Sequence, residues 1–424
     1  MMHGPGFTRR AMIAGTVATT TACAFAQGTG PARDVRQFGA HGNGIADDRD
    51  AIQRAIDDAH AAGGGVVAFP EGTYRVTHRV SPDSDGMAAI ILRSGVTLLG
   101  ASPERAIIRL ADAQLGPGSF ARIVSSMGNI ERAAIRNLGL DGNRAGQGGE
   151  RDAVNGAIIH LGWKGRCIDV TIEGNALRGA NGQAIQLVGS ANNVSRNLRI
   201  TRNDVRDCAY IGIQVAQFEG LLIDNNIVSD TADNGIDLYG DNPNGSPVST
   251  SGGAEIRGNR LTRCSIGIFL ETVARIRVVG NQIVDAGVAG FRVNRIHGEP
   301  RDILIQNNSV QGGKRGVAVG GDTGGVVIRN NDLRGFTVAG LAFGYNVSKV
   351  TATANRFTPA AADTPIVLAT PTADSGRNGQ PLEQLSGILI RNNSILGRHD
   401  ATRRFVNGYQ RSIDVTVDGF GGPE

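Results

Sequence analysis

Apolar and polar residues alternate along this chain in short runs, and two phrases of that alternation keep returning. The first reads apolar-x-x-Asn-x-apolar, as in IEGNAL at Asn175, ITRNDV at Asn203, IDNNIV at Asn226 and IRGNRL at Asn259. It continues at Asn281, Asn308, Asn331 and Asn393, with a degenerate copy, TATANRF, at Asn355. The second reads Gly-apolar-x-apolar and runs between the first: GIQV at Gly212, GIDL at Gly235, GIFL at Gly267, GFRV at Gly290, GVAV at Gly316 and GLAF at Gly340. A period of two over four to six residues predicts strands, and a unit that returns every 20 to 50 residues predicts a solenoid. The unit is too short for a propeller blade and lacks a leucine-rich skeleton. These runs therefore predict an all-β fold: a single-stranded, right-handed parallel β-helix, whose turns stack at about 4.8 Å with apolar positions inside. Asn at one corner of each turn is suited to left-handed bends and to an amide ladder along the stack.

Ahead of the repeats the period changes. Ala51, Ile52, Ala55, Ile56 and Ala59 form one apolar stripe at helical spacing, with Asp47 and Asp48 as N-cap candidates and Gly63-Gly64-Gly65 as the stop. An amphipathic helix here is expected to cap the rod, because a solenoid needs a polar-faced end. VVAF and TYRV follow as strands around Pro70-Glu71-Gly72. The expected organisation is an export signal over 1–26 and one β-helix domain over 27–424. Within that domain, 34–76 form the N-terminal cap and first coil, 358–386 a loop or broken coil, and 397–424 a C-terminal cap.

Composition narrows the setting. TRRAMIAG carries Arg9 and Arg10 ahead of a small-residue apolar stretch, and Ala24-Phe25-Ala26 forms an A-x-A cleavage site. The paired arginines resemble a twin-arginine signal, so the twin-arginine export machinery is an expected partner and a periplasmic or secreted location is expected. No other stretch is long and apolar enough to span a membrane, so no membrane contact is expected after signal removal. The chain has 43 Lys+Arg against 39 Asp+Glu, and only three are Lys, which is no nucleic-acid footprint. Cys208 and Cys264 fall on equivalent corners two strand spacings apart, too far for a disulfide, and with Cys167 they are expected as buried thiols.

The phrase FGAHGNGIADDRDAIQRAID, followed by GGGVVAFPEGTYRV, resembles the N-terminal segment of the pectate-lyase superfamily of right-handed β-helix proteins. The resemblance is tight over 34–76 and loose over the repeats to about 396. It implies the fold and, more loosely, a carbohydrate-active function, since one scaffold hosts many chemistries. GIDLY at Gly235–Tyr239 is similar to the Tyr-Gly-Phe-Asp-Pro-His strand of mannuronan C-5-epimerases. That resemblance places Asp237 on the family's catalytic Asp, while Asn234, Leu238 and Tyr239 stand where that family has Tyr, Pro and His. Polygalacturonases are echoed only by NGID at Asn234; their Gly-His-Gly coil does not occur in this chain.

Aligning the Gly-apolar-x-apolar strands gives an outward column of Ile158, Gln186, Gln214, Asp237, Phe269, Arg292, Ala318 and Ala342. A second column runs His160, Val188, Ala216, Tyr239, Glu271, Asn294, Gly320 and Gly344. The central coils are polar and the later ones small, which suggests a groove along the axis for an acidic polysaccharide. Asp237, Tyr239, Glu271 and Arg292 are the candidate catalytic residues. Arg292 would grip a sugar carboxylate, and Tyr239 would act as base or acid in lyase- or epimerase-like proton abstraction. Gln186, Gln214, Asn294 and His297 are the candidate substrate contacts. Two alternatives stay open: Asp237 and Glu271 as a carboxylate pair for glycoside hydrolysis, or a non-catalytic polysaccharide-binding solenoid whose outward positions are polar because they face water. No cofactor is required, and the metal is unknown, although Asp241, Asn242 and Asp322 offer oxygen ligands of the kind Ca²⁺ takes.

Overall fold

The structure, a computed structural model, describes residues 32–81, 86–115, 120–148, 155–190, 192–240, 251–295, 300–321, 323–370, 384–409 and 411–421. The expected export signal, the Ca²⁺-ligand candidates Asp241, Asn242 and Asp322, and His297 lie outside the described residues.

Each coil contributes one strand to each of three sheets of 16, 14 and 13 strands among the described residues. One turn runs Asn234–Tyr239, Gly252–Arg257, Arg260–Thr262, and the next begins with Ile266–Glu271. Among the described residues strand pairing in the stack is parallel, with one antiparallel strand pair, Arg79–Ser81 against Gly86–Ile91. The inward residues of the 13-stranded sheet form continuous files: Ile185, Ile213, Ile236, Ile268, Phe291, Val317 and Leu341 pair rung to rung. All are buried, within one core that extends from Val35 to Tyr409. Each such side chain contributes about 1.5–3 kcal/mol by leaving water, so the period-two pattern is what closes the coil.

The Asn phrase forms the expected ladder, with Asn355 as a full member. The backbone N–H of each Asn up to Asn355 donates to the Oδ1 of the Asn one coil on: Asn175 to Asn203 at 3.0 Å, Asn259 to Asn281 at 3.0 Å, Asn331 to Asn355 at 2.9 Å and Asn355 to Asn393 at 2.8 Å. Each Nδ2 donates to the same Oδ1 and to a strand carbonyl, as Asn281 does to Asn308 and Ile256. The residue just before the Asn is left-handed in coil after coil, whether Gly174 (φ 65°), Arg202 (φ 55°), Asn225 (φ 54°) or Asn307 (φ 56°).

The recurring strand glycine serves a different need. A Cβ on Gly267 would lie 2.6 Å from the Gly290 carbonyl and 2.7 Å from Ile283 Cδ1. Neighbouring coils press together there, so the second phrase begins with Gly for closeness and not for a left-handed bend.

Helix α1, Arg49–Ala61, buries Ala51, Ile52, Ala55, Ile56 and Ala59, as the stripe predicts. It packs on the first strands of the rod. Asp48 occupies the N-cap position without a capping hydrogen bond. Its buried carboxylate instead accepts from the backbone N–H groups of His41 (2.6 Å) and Gly42 (2.9 Å), tying the preceding turn down. Val367–Ala369 adds a rung to the 13-stranded sheet, inside the segment expected as a loop or broken coil. Phe405–Asn407, Arg411–Val417 and Phe420–Gly421 add a last rung to all three sheets, so strands continue to Gly421. Cys167, Cys208 and Cys264 are free buried thiols, and Thr231 stands on the rung between Cys208 and Cys264.

Candidate functional site

The 13-stranded sheet carries the expected columns from the second coil onward. Gln186, Gln214, Asp237, Phe269, Arg292, Ala318 and Ala342 are successive Cα partners. Val188, Ala216, Tyr239, Glu271, Asn294 and Gly320 form the adjacent column. One placement is corrected. His160 pairs with Gln186 and with Ser125, so it heads the column of Asp237 and not that of Glu271. In its strand, Ala157–Trp163, Ile159 pairs with Ile185 and Ile185 with Ile213, so Ile158 stands at the strand-glycine position and a count from Gly156 slips by two residues.

The centre of the column is not a solvated face. Asp237 is 4% exposed and Glu271 8%. Asp237 Oδ2 accepts from Asn234 Nδ2 at 3.2 Å and Gln214 Nε2 at 3.4 Å, and Gln186 Nε2 donates to Gln214 Oε1 at 2.9 Å. Asp237 Oδ1 has no hydrogen-bond partner among the described residues. Burial pushes the Asp237 carboxyl up to about 7, with Asp233 adding to the rise and the two amide hydrogen bonds opposing it. Burial pushes Glu271 up to about 8, helped by the charge of Asp237 and opposed by Arg292. Arg292 stands two rungs from Asp237, and its guanidinium carbon lies 5.3 Å from the centroid of the Phe269 ring on the intervening rung. Tyr239, Asn294, Gln186 and Gln214 are half-buried around this centre.

Two residues that the sequence columns missed complete the cluster. Tyr210 and Asp233 precede the strand glycines by two positions, and Asp233 N–H donates to the Tyr210 carbonyl at 3.2 Å, setting them on successive rungs. Burial raises Asp233, with Arg292 opposing. Burial raises the Tyr210 hydroxyl too, reinforced by Asp233, Asp237 and Glu271. The signal was available: a column read two places before each glycine gives Tyr210 and Asp233 side by side. Asn234, on the rung of Ile266, supplies the amide that fixes Asp237.

Beyond Arg292 the small residues leave room. A pocket of ≈ 180 Å³ is lined by Arg292 and Arg315, with Ala318, Gly320, Ala342 and Gly344 around it. The arrangement thus holds protonatable carboxyls and a tyrosine beside a trough with two guanidinium groups. Such a set can bind a carboxylate and move a proton. No group of three or more His, Cys, Asp or Glu among the described residues is placed to hold a metal ion.

Comparison with known proteins places this geometry in a family. The model for rhamnogalacturonase A/epimerase, pectate lyase-like, matches residues 32–246, and that for the periplasmic copper-binding protein NosD matches 239–401. Mannuronan C5-epimerase AlgE5 of Azotobacter vinelandii is 32% identical over 286 residues, 65% of this chain and 26% of that protein. Alginate lyase 7 of the same organism is 33% identical over 209 residues, 48% of this chain and 23% of that protein. The chain thus matches about a quarter of the length of these relatives. The solved A-module of A. vinelandii mannuronan C-5 epimerase AlgE6 has a TM-score of 0.68 at 23% identity, covering 92% of this chain and 98% of that one, a likeness of fold. With half of its residues matched by that first model, the chain belongs to the rhamnogalacturonase A/epimerase, pectate lyase-like family.

Proposed function

We propose that this protein is an exported enzyme acting on an acidic polysaccharide, an alginate-type polyuronate, by removing the proton beside the uronate carboxyl in a lyase or epimerase reaction. Relatives named mannuronan C5-epimerases and alginate lyase support the substrate class. One observation carries the chemistry: Asp237 is buried, raised to about 7, and holds one carboxyl oxygen without a partner among the described residues.

A carboxyl raised to about 7 is neutral below that pH, and in that form it donates a hydrogen bond to a substrate carboxylate instead of repelling it. Removing the C5 proton shifts electron density onto that carboxylate, and donors already aimed at it lower the barrier. In this reading neutral Asp237 and Arg292 bind the carboxylate, and Gln186, Gln214 and Asn294 orient the sugar. Tyr239, entering the step as the phenolate, takes the C5 proton and becomes the phenol. Tyr210, whose raised hydroxyl keeps its proton, is the donor: to the departing O4 in β-elimination, or to the opposite face of C5 in epimerisation. A hydrolytic pair would need Asp237 or Glu271 ionised as base while the other stays protonated; burial pushes both toward the neutral form.

Export through the twin-arginine route, directed by Arg9 and Arg10, is part of the same proposal, since polyuronates lie outside the cytoplasm. The test is incubation with polymannuronate, polyguluronate and polygalacturonate. The reading expects unsaturated-product absorbance from a lyase, or altered C5 configuration in the polymer from an epimerase. New reducing ends without unsaturation would establish hydrolysis instead.

A further inference from the structure

The 16-stranded sheet carries a second trough, on a different face of the rod from Asp237. It encloses ≈ 1020 Å³, and six arginines line it against three acids. Its columns differ in how their charge is used. On one column Arg136 pairs with Glu173 at 3.3 Å and Arg257 with Asp224 at 3.0 Å, so those charges largely cancel. On the next, Arg199, Leu222, Glu255 and Arg277 are successive rung partners. The third corner runs from Gly220 through Gly253 to Arg275, and the two glycines leave the trough wall open there. Arg199, Arg275 and Arg277 are exposed, and none makes an ion pair with a described residue. Arg199 and Arg277 stand three rungs apart, about 14 Å at the strand spacing.

Three unneutralised guanidinium groups spaced along an open trough form an anion-binding surface. No aromatic side chain among the described residues lines it, so they offer no stacking platform of the kind that single-stranded nucleic acid or a neutral sugar ring uses. The interleaved acids Glu173, Asp224 and Glu255 suit a polymer with one separated carboxylate per unit over a dense phosphate backbone. We propose that this trough is a second, non-catalytic binding site for a polyuronate chain, which holds long polymer on the rod while another stretch reaches Asp237. The substrate class, a polyuronate, rests on the functional reading above; the site does not depend on the chemistry at Asp237.

The test compares the mature chain with the triple variant Arg199→Gln/Arg275→Gln/Arg277→Gln. Mobility in native gels containing polymannuronate reads binding, and turnover is measured on long polymer and on a short oligouronate. Three exposed substitutions leave the core untouched, and thermal unfolding checks this. The proposal expects the wild type to be retarded, and at least a fivefold loss of retardation in the variant. It also expects a raised KM on long polymer and unchanged kcat on the oligomer. A single Arg277→Glu change should give the same direction. Equal retardation of wild type and variant, no retardation of the wild type, or equal retardation by a neutral glucan overturns it. If no uronate is turned over but the variant still loses retardation, the trough stands and the catalytic reading falls. Normal turnover with unchanged retardation gives the reverse.

Discussion

Replacing Asn281 by Ala removes one link of the amide ladder and leaves its neighbours in place. Asn281 Oδ1 accepts from the backbone N–H of Asn259 at 3.0 Å and from Asn259 Nδ2 at 2.9 Å. Its Nδ2 donates to the Ile256 carbonyl at 2.9 Å and to Asn308 Oδ1 at 3.0 Å. Asn259 Nδ2 keeps the Ile223 and Arg257 carbonyls, and Asn308 Oδ1 keeps the Asn281 N–H. The buried Asn259 N–H loses its acceptor outright, and the Ile256 carbonyl loses this amide. At about 1–3 kcal/mol for each buried group stripped of a partner, the substitution should cost about 2–6 kcal/mol. Denaturant unfolding gives the total, and amide hydrogen exchange locates it: Asn259 should exchange faster while amides many coils away keep their protection, because a solenoid couples mainly neighbours. The matched control is Asn307→Gly. Asn307 is exposed and left-handed at φ 56°, so Gly there should change stability by no more than about 0.5 kcal/mol. A loss below about half a kcal/mol for Asn281→Ala would refute the reasoning and reduce the ladder to a decoration of the corner.

Other expectations follow from the same geometry. Gly267→Ala drives a methyl group to 2.6 Å from the Gly290 carbonyl and should cost about 1–3 kcal/mol in denaturant unfolding by overpacking. Asp237 binds its proton more tightly folded than unfolded. Its contribution to stability is therefore full below about pH 4 and is lost as pH rises through about 7. Asp237→Asn should flatten that decline when unfolding is followed from pH 4 to pH 8. Arg292→Lys keeps the charge but not the paired donors, so KM for polyuronate should rise roughly tenfold, the worth of one charged hydrogen bond, while Ala342→Ser, farther along the trough, changes little. Arg9→Lys/Arg10→Lys should leave folded precursor in the cytoplasm, read by fractionation; unchanged export would mean a signal that does not need the arginine pair.

The sequence revealed the fold through residues that cannot be replaced without breaking a repeat. The nine ladder asparagines from Asn175 to Asn393 and the strand glycines mark every coil they occupy, because an amide ladder and a close inter-coil approach each tolerate one residue type. Once those marks were aligned, the rungs of Gln186, Gln214, Asp237, Phe269 and Arg292 followed. His160 is misplaced because its strand carries Ile158, not glycine, at the phrase's glycine position, so a count from Gly156 slips by two residues. The burial of Asp237 and Glu271 was hidden for another reason. An x position in a strand reads as outward, and only the neighbouring rungs decide whether water reaches it. Tyr210 and Asp233 escaped because they sit before the glycine, at a corner whose direction depends on the turn. The arginine trough was invisible because Arg199 and Arg277 are three rungs apart, and only stacking makes them neighbours.

The most direct measurement of the central claim is loss of the uronate C5 proton. Polymannuronate incubated with the protein in D2O should lose its C5 proton, read as deuterium at C5 from an epimerase or as unsaturated product from a lyase, and that loss should fall at least a hundredfold in Asp237→Ala, which keeps neither donor nor acceptor, while unfolding stays cooperative. C5 proton loss that persists undiminished in Asp237→Ala, or neither deuterium at C5 nor unsaturated product from the wild type with any polyuronate, contradicts proton abstraction at this site.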